Sequence, residues 1–204
     1  MLVIIDYGVG NLASIKNMIK KGGNESVISG SPEDIRSASK LLLPGMGHFD
    51  NCMIKLRQSG LLPIIEERVF TSKIPVLGIC VGLQMFMASS DEGKEPGLGW
   101  IKGKTVGFNQ DLLSASLKIP NMGWLDVLPQ KPSLLFKDIS EARFYFAHSY
   151  CVEPDDKKDI LVMAEYGYHF TVGIEHENVV GVQFHPEKSH RFGMQLLKNF
   201  AELY

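Results

Sequence analysis

Between Leu2 and Ser89, short and continuously apolar runs alternate with segments whose apolar residues recur at helical spacing. Leu2–Ile5, Ser26–Ser29, the run Lys40–Leu43 and Pro75–Cys80 read as strands. Asn11–Lys21 carries Leu12, Ile15, Met18 and Ile19 on one helical face and ends at Gly22-Gly23. Further helices are expected over Phe49–Gln58, Leu62–Thr71 and Val81–Ser89. A strand that is apolar on both sides must be covered on both faces, which a parallel sheet wound between helices achieves. The expected fold class is therefore α/β, one domain over residues 1–204, with a central, mostly parallel sheet flanked by helices.

After Gly97 the rhythm changes. Lys104–Phe108, Ser116–Ile119, Trp124–Val127, Arg143–Tyr150, Ile160–Tyr166, Phe170–Glu175 and Val179–Phe184 are short β-rich runs punctuated by Gly, Pro and Asp/Lys clusters. They are expected to extend the sheet with antiparallel strands. Pro154–Asp159 reads as an exposed loop, and Gly193–Leu203 as a closing helix.

Composition narrows the function classes. With 45% hydrophobic and 22% charged residues, a chain of 204 residues can build its core without a disulfide or metal staple. The net charge of −2 and the absence of a basic block leave no electrostatic footprint for nucleic acid. Cys52, Cys80 and Cys151 are odd in number and lack paired spacing, which argues against a disulfide framework or zinc site and for a reducing compartment, taken as the cytoplasm. The apolar start Leu2–Ile5 is too short and lacks the positive flank of a signal peptide, and no run suits a membrane span.

The sharpest local signal is Gly78-Ile79-Cys80-Val81-Gly82, a G-x-nucleophile-x-G turn between an expected strand and helix. Such a turn strains the nucleophile's backbone, and its glycines let neighbouring chain approach. The helix N-terminus favours a thiolate and leaves N–H groups, that of Val81 among them, to hold an oxyanion. Alternatively, Cys80 is a small buried hydrophobe in a plain turn. A cysteine nucleophile needs a base, and the base needs an orienting group. His185 stands at the end of a β-rich run, with Pro186 fixing the backbone and Glu187 two residues on to accept the ring proton. His148 and His190 are second-rank bases, while His169 and His176 lie in an expected hairpin and read as structural. Pro44-Gly45-Met46-Gly47 is either a turn after a strand or a loop whose peptide planes present an N–H to the carbonyl under attack.

Taken in order, Pro-Gly-x-Gly, Gly-x-Cys-x-Gly-x-Gln and His-Pro-Glu resemble the class I, triad-type glutamine amidotransferases over nearly the whole chain. Ile5–Leu12, Pro120-Asn121-Met122-Gly123-Trp124, Phe144–Tyr150 and His185–Ser189 narrow the resemblance to the glutaminase subunits of imidazole glycerol phosphate synthases. The resemblance implies that fold, no cofactor or metal, and a Cys80–His185–Glu187 triad that hydrolyses glutamine to glutamate and ammonia. It places Met46, Gly47 and Val81 at the oxyanion, and Gln84, Ser149 and Tyr150 around the glutamine. It also implies a heterodimer with a (β/α)8-barrel cyclase subunit, which takes the ammonia to make imidazole glycerol phosphate and AICAR in histidine biosynthesis. Asn11, Trp124, Tyr145, His148 and Lys188 match positions at that interface or channel mouth.

The chain departs from the family pattern at three points. Asn121 replaces a histidine, Leu125 an asparagine, and Gly107 a common arginine. These departures leave an alternative partner, a paralogous system that amidates a surface-polysaccharide sugar. Three rival readings stand beside the resemblance. Gly8-Val9-Gly10-Asn11-Leu12-Ala13 fits a dinucleotide fingerprint without a clear downstream acid. The Cys80 turn also suits a peptidase or esterase, which would leave Gln84 and the Pro44–Gly47 loop unexplained. A catalytically silent binding subunit would not need the full triad.

Overall fold

A computed structural model describes all 204 residues. The first half alternates as its periodicity requires: β1 (Leu2–Ile5), α1 (Leu12–Lys21), β2 (Ser26–Ser29), α2 (Pro32–Ser37), β3 (Lys40–Gly45), α3 (Phe49–Gln58), α4 (Leu62–Glu66), β4 (Val76–Cys80) and α5 (Val81–Gln84). The second half adds β5 (Ser89–Ser90), β6 (Gly103–Gly107), β7 (Asn121–Pro129), β8 (Arg143–His148), β9 (Tyr150–Pro154), β10 (Ile160–Tyr166), β11 (Tyr168–His176), β12 (Val179–Val182) and α6 (His190–Leu203). A nine-stranded sheet runs in the order β2-β1-β3-β4-β12-β11-β10-β7-β8. The β2-to-β12 part is parallel and the remainder antiparallel, so the sheet is mixed. A separate three-stranded sheet, β5-β6-β9, stands beside it.

The parallel strands β1, β4 and β12 are buried at every position, as their unbroken apolar sequences demand. α1 turns Ile15 and Ile19 inward, and α6 turns Leu196, Leu197 and Phe200 inward, so both are amphipathic covers. One core of 54 buried residues results. Each fully buried Ile, Leu or Phe contributes about 1.5–3 kcal/mol relative to exposure. No helix is long and apolar enough to cross a membrane.

Four local expectations are corrected. The helix expected over Val81–Ser89 ends at Gln84, because the Phe86 and Met87 amides tighten onto Leu83 and Gln84, and the Ala88 amide leaves to bond Gly103. The chain then pairs Ser89 and Ser90 with β6. Ser116–Ile119 forms no strand: the Tyr166 hydroxyl takes both the amide and the carbonyl of Lys118, and no ladder remains. Arg143–Tyr150 is two strands rather than one; the chain leaves the large sheet at Ser149 and enters the small one. The helix expected over Leu62–Thr71 is α-helical only to Glu66 and continues as a wider π turn over Glu67–Thr71. A further helix, α2, lies outside the expected elements, although its signals are present. Ser31 caps it by accepting from the Glu33 amide at 3.2 Å, Pro32 opens it, and Glu33 and Asp34 follow in the first turn.

Candidate active site

The parallel strands β1, β3, β4 and β12 all end at one edge of the sheet, where open α/β sheets place their sites. From that edge rise the loop after β1, the Pro44–Gly47 loop, the Cys80 turn and His185. Cys80 closes β4 and opens α5 with φ 56° and ψ −115°, a positive-φ conformation that costs a non-glycine residue roughly 1–3 kcal/mol. The turn survives because its surroundings leave no alternative. A Cβ at Gly82 would run into the Leu43 carbonyl oxygen, and one at Gly78 would stand 2.8 Å from both the Gly82 oxygen and the Leu83 nitrogen. Glycine at these two positions lets the turn lie flat against β3 and fold back on β4.

His185 follows β12, far from Cys80 along the chain but adjacent in space, since β12 lies directly beside β4. Its backbone is clamped: the amide donates to the Tyr145 carbonyl at 2.9 Å, and the Ser189 hydroxyl donates to the His185 carbonyl at 2.6 Å while accepting from the Tyr145 amide at 2.9 Å. Nδ1 lies 2.9 Å from Glu187 Oε1, with both side chains almost wholly buried. The ring therefore donates Nδ1–H to the carboxylate and leaves Nε2 free on the side of the pocket that Cys80 also lines, close enough for the sulfur to bear on the charge of the ring. Burial opposes a charge on this ring, but the Cys80 sulfur in its thiolate form and the Glu187 carboxylate outweigh it and push its pKa up to about 9.

Met46, Gly47, Cys80, Val81, Gln84, His148, Ser149, Tyr150, His185 and Lys188 share one pocket of about 340 Å³. Glu187 stands behind His185. Gln84 Nε2 donates to the Tyr150 carbonyl at 3.3 Å and to Gln183 Oε1 at 3.0 Å, while Gln84 Oε1 is buried without a partner. The Pro44–Gly47 loop is held from beneath. The Tyr7 hydroxyl donates to the Pro44 carbonyl at 2.6 Å, and Cys52 Sγ donates to the Met46 carbonyl at 3.5 Å. In a trans peptide the Gly47 N–H then points away from Cys52.

His148 is neutral. Its Nδ1–H donates to the Tyr150 carbonyl at 2.8 Å, an acceptor-only group, so Nε2 is the acceptor for Asn121 Nδ2 at 3.2 Å. Burial, with His185 nearby, pushes its pKa down to about 4 against the Tyr150 bond. Asn121, where the family pattern has a histidine, is thereby accommodated as a hydrogen-bond partner.

Trp124 and Tyr145 are cross-strand partners on β7 and β8, edge to face at 6.2 Å. Trp124 also stacks on His190 at 5.4 Å, and the Lys188 ammonium lies 5.7 Å from the Tyr145 ring centroid. These residues form one cluster beside the pocket, whereas Asn11 stands apart at the start of α1. Sequence reasoning missed Tyr7, Cys52, Glu92, Gln183 and the clamp made by Ser189. Glu92 lines the pocket and accepts from the Phe49 amide at 2.9 Å, yet it sits in an irregular stretch with no pattern to mark it.

The sequence profile described as "Glutamine amidotransferase class-I" matches residues 3–203. The chain is 50% identical over 204 residues to the "Imidazole glycerol phosphate synthase subunit HisH 2" of Pseudomonas aeruginosa, covering 100% of both. It is 50% identical to the protein of that name in Methanococcus maripaludis, covering 99% of both, and 44% identical to "Imidazole glycerol phosphate synthase subunit HisH" of Leptospira borgpetersenii, covering 100% of both. Among solved structures it resembles one described as a GMP synthase subunit of Thermoplasma acidophilum, with a TM-score of 0.71 at 18% identity over 98% of this chain and 91% of that one. A structure described as a glutamine amidotransferase also matches with a TM-score of 0.71 at 18% identity, over 96% and 98%. At such identities these two structures speak for the fold alone.

Proposed function

The chain belongs to the class I glutamine amidotransferases, and from that premise we propose that it is the glutaminase subunit of an imidazole glycerol phosphate synthase, releasing ammonia from glutamine for a partner subunit in histidine biosynthesis. One observation carries the chemistry: a thiol on a strained strand-to-helix turn faces a buried imidazole whose far nitrogen is held by a carboxylate at 2.9 Å. The full-length relatives carry the choice of enzyme, and their names do not favour the sugar-amidation alternative.

In this reading Cys80 Sγ attacks the side-chain amide carbon of glutamine as His185 Nε2 holds the thiol proton. Glu187 keeps the ring in the tautomer that leaves Nε2 available and stabilises the imidazolium. The Val81 amide and the Met46–Gly47 peptide take the developing oxyanion. His185 then protonates the departing nitrogen and ammonia leaves. Water, deprotonated by the same ring, hydrolyses the thioester to glutamate. The Glu92 carboxylate suits the substrate's ammonium, and Gln84, Ser149 and Tyr150 close the remaining wall. The partner is a (β/α)8-barrel cyclase in a heterodimer, docked over Asn11 and the Trp124 cluster. Ammonia passes by Tyr145, His148 and Lys188.

Glutamate release, measured with and without the cyclase subunit and the histidine-pathway intermediate, tests this. Cys80→Ala is expected to lose turnover while keeping its melting profile, and the partner to stimulate the wild-type chain strongly. Turnover in the variant would remove Cys80 as the nucleophile. Equal rates with and without the cyclase would remove the coupling.

A further inference from the structure

Gln183 has no part in the mechanism above, yet its side chain lies at the centre of the site. It follows β12 two residues before His185, is fully buried, and has its own amide fixed on the Val172 carbonyl at 2.8 Å. Its Oε1 accepts from Gln84 Nε2 at 3.0 Å, and its Nε2 faces Cys80 Sγ at 3.6 Å.

The direction of this chain of hydrogen bonds decides what the sulfur meets. A side-chain amide can turn over and exchange its oxygen for its nitrogen, so the polarity needs an anchor. The anchor is the Tyr150 carbonyl, which can only accept and lies 3.3 Å from Gln84 Nε2. Turning Gln84 over would set oxygen against that carbonyl and oxygen against Gln183 Oε1. Turning Gln183 over would set nitrogen against Gln84 Nε2 and carbonyl oxygen against sulfur. One arrangement satisfies every contact, and it aims an N–H at Cys80. The other groups near the sulfur are committed elsewhere. The Tyr7 hydroxyl serves Pro44, the Cys52 thiol serves Met46, and His148 is held by Tyr150 and Asn121. His185, backed by Glu187, exchanges the proton itself, and Glu92 and Lys188 line the pocket wall.

We propose that Gln183 is a positioning residue for the nucleophile: an amide locked through Gln84 to the Tyr150 carbonyl, which presents a fixed, neutral N–H donor to Cys80 and favours the thiolate over the thiol. A charge-assisted acceptor gains more from that donor than a neutral thiol does. The proposal rests on the glutaminase reading, and its test separates the two.

The measurement is the rate of Cys80 alkylation by iodoacetamide against pH, with peptide mass spectrometry to distinguish Cys80 from Cys52 and Cys151. In Gln183→Leu the apparent midpoint, which belongs to the Cys80–His185 pair, is expected to rise by about one unit, with alkylation about tenfold slower below it. Gln183→Glu, which sets a carboxylate against the sulfur, is expected to move it further in the same direction. In glutaminase assays kcat should fall more than KM rises. A folded Gln183→Leu chain with the wild-type profile would overturn the proposal. Nitrogen-15 NMR of the wild-type chain gives a second arm that needs no folded variant. The Gln183 side-chain amide should shift with the same midpoint as alkylation, and resonances blind to it would also overturn the proposal. If wild-type Cys80 reacts no faster than Cys52 and Cys151, the glutaminase reading fails instead.

Discussion

Gly78→Ala tests whether the tightness of the strand-to-helix turn is what sets Cys80 in place. A Cβ added there would stand 2.6 Å from Phe86 Cε2 and 2.8 Å from both the Gly82 oxygen and the Leu83 nitrogen, where 3.4–4 Å is ordinary contact. The neighbours must therefore give by about 0.6–0.8 Å, comparable with the overpacking displacements that cost typically 1–3 kcal/mol. Phe86 cannot swing aside, because its ring is fully buried and stacks on Trp100 at 5.0 Å. The start of α5 must lift from β4 instead, which places the cost at the upper end, about 2–3 kcal/mol. For a chain of this size that lowers Tm by about 4–12 °C. The same lift carries Cys80 and the Val81 amide away from His185, and misplacement on the order of 1 Å can cost about 100-fold in rate. Differential scanning calorimetry and a glutaminase assay read both effects. Gly107→Ala is the control, since its Cβ would meet only the Tyr150 ring, 3.7 Å away at the nearest atom, and should leave Tm within about a degree or two. A Gly78→Ala chain with wild-type Tm and turnover would refute the reasoning.

Cys80→Gly should be more stable than Cys80→Ala by about 1 kcal/mol in urea unfolding, reversing the usual preference, because φ 56° suits glycine; the opposite order would show the turn to be unstrained. The His185 ring has a folded pKa of about 9 against an ordinary 6.5, so its stabilising contribution is whole below 6.5 and is lost as pH rises through about 9. Unfolding free energies measured across that window should fall more in the wild type than in His185→Gln, and equal slopes would exclude the coupling. Trp124→Ala should weaken binding of the cyclase subunit by about 2 kcal/mol, roughly 30-fold in Kd by calorimetry, as loss of a buried aromatic anchor does; unchanged affinity would place the interface elsewhere.

Much of this was written along the chain. The unbroken apolar runs of β1 and β4 could only be strands covered on both faces, and the glycines around Cys80 mark a turn too tight for side chains. The motifs of Cys80 and His185 point to a nucleophile and its base before any coordinates. These signals are local: they depend on spacing within one element and on backbone sterics. The three-dimensional arrangement decided what local patterns cannot carry. Residues 81–89 show helical spacing, yet the chain abandons the helix after Gln84 because β6 offers Ala88, Ser89 and Ser90 better partners. Ser149 becomes the point where the chain changes sheets, which no periodicity announces. Gln183 looks like one polar residue at a strand end, and only the adjacency of β12 and β4 sets its amide between Gln84 and the sulfur. Hydrogen bonds across such distances depend on which strands lie side by side, and that is settled by the packing of the whole sheet.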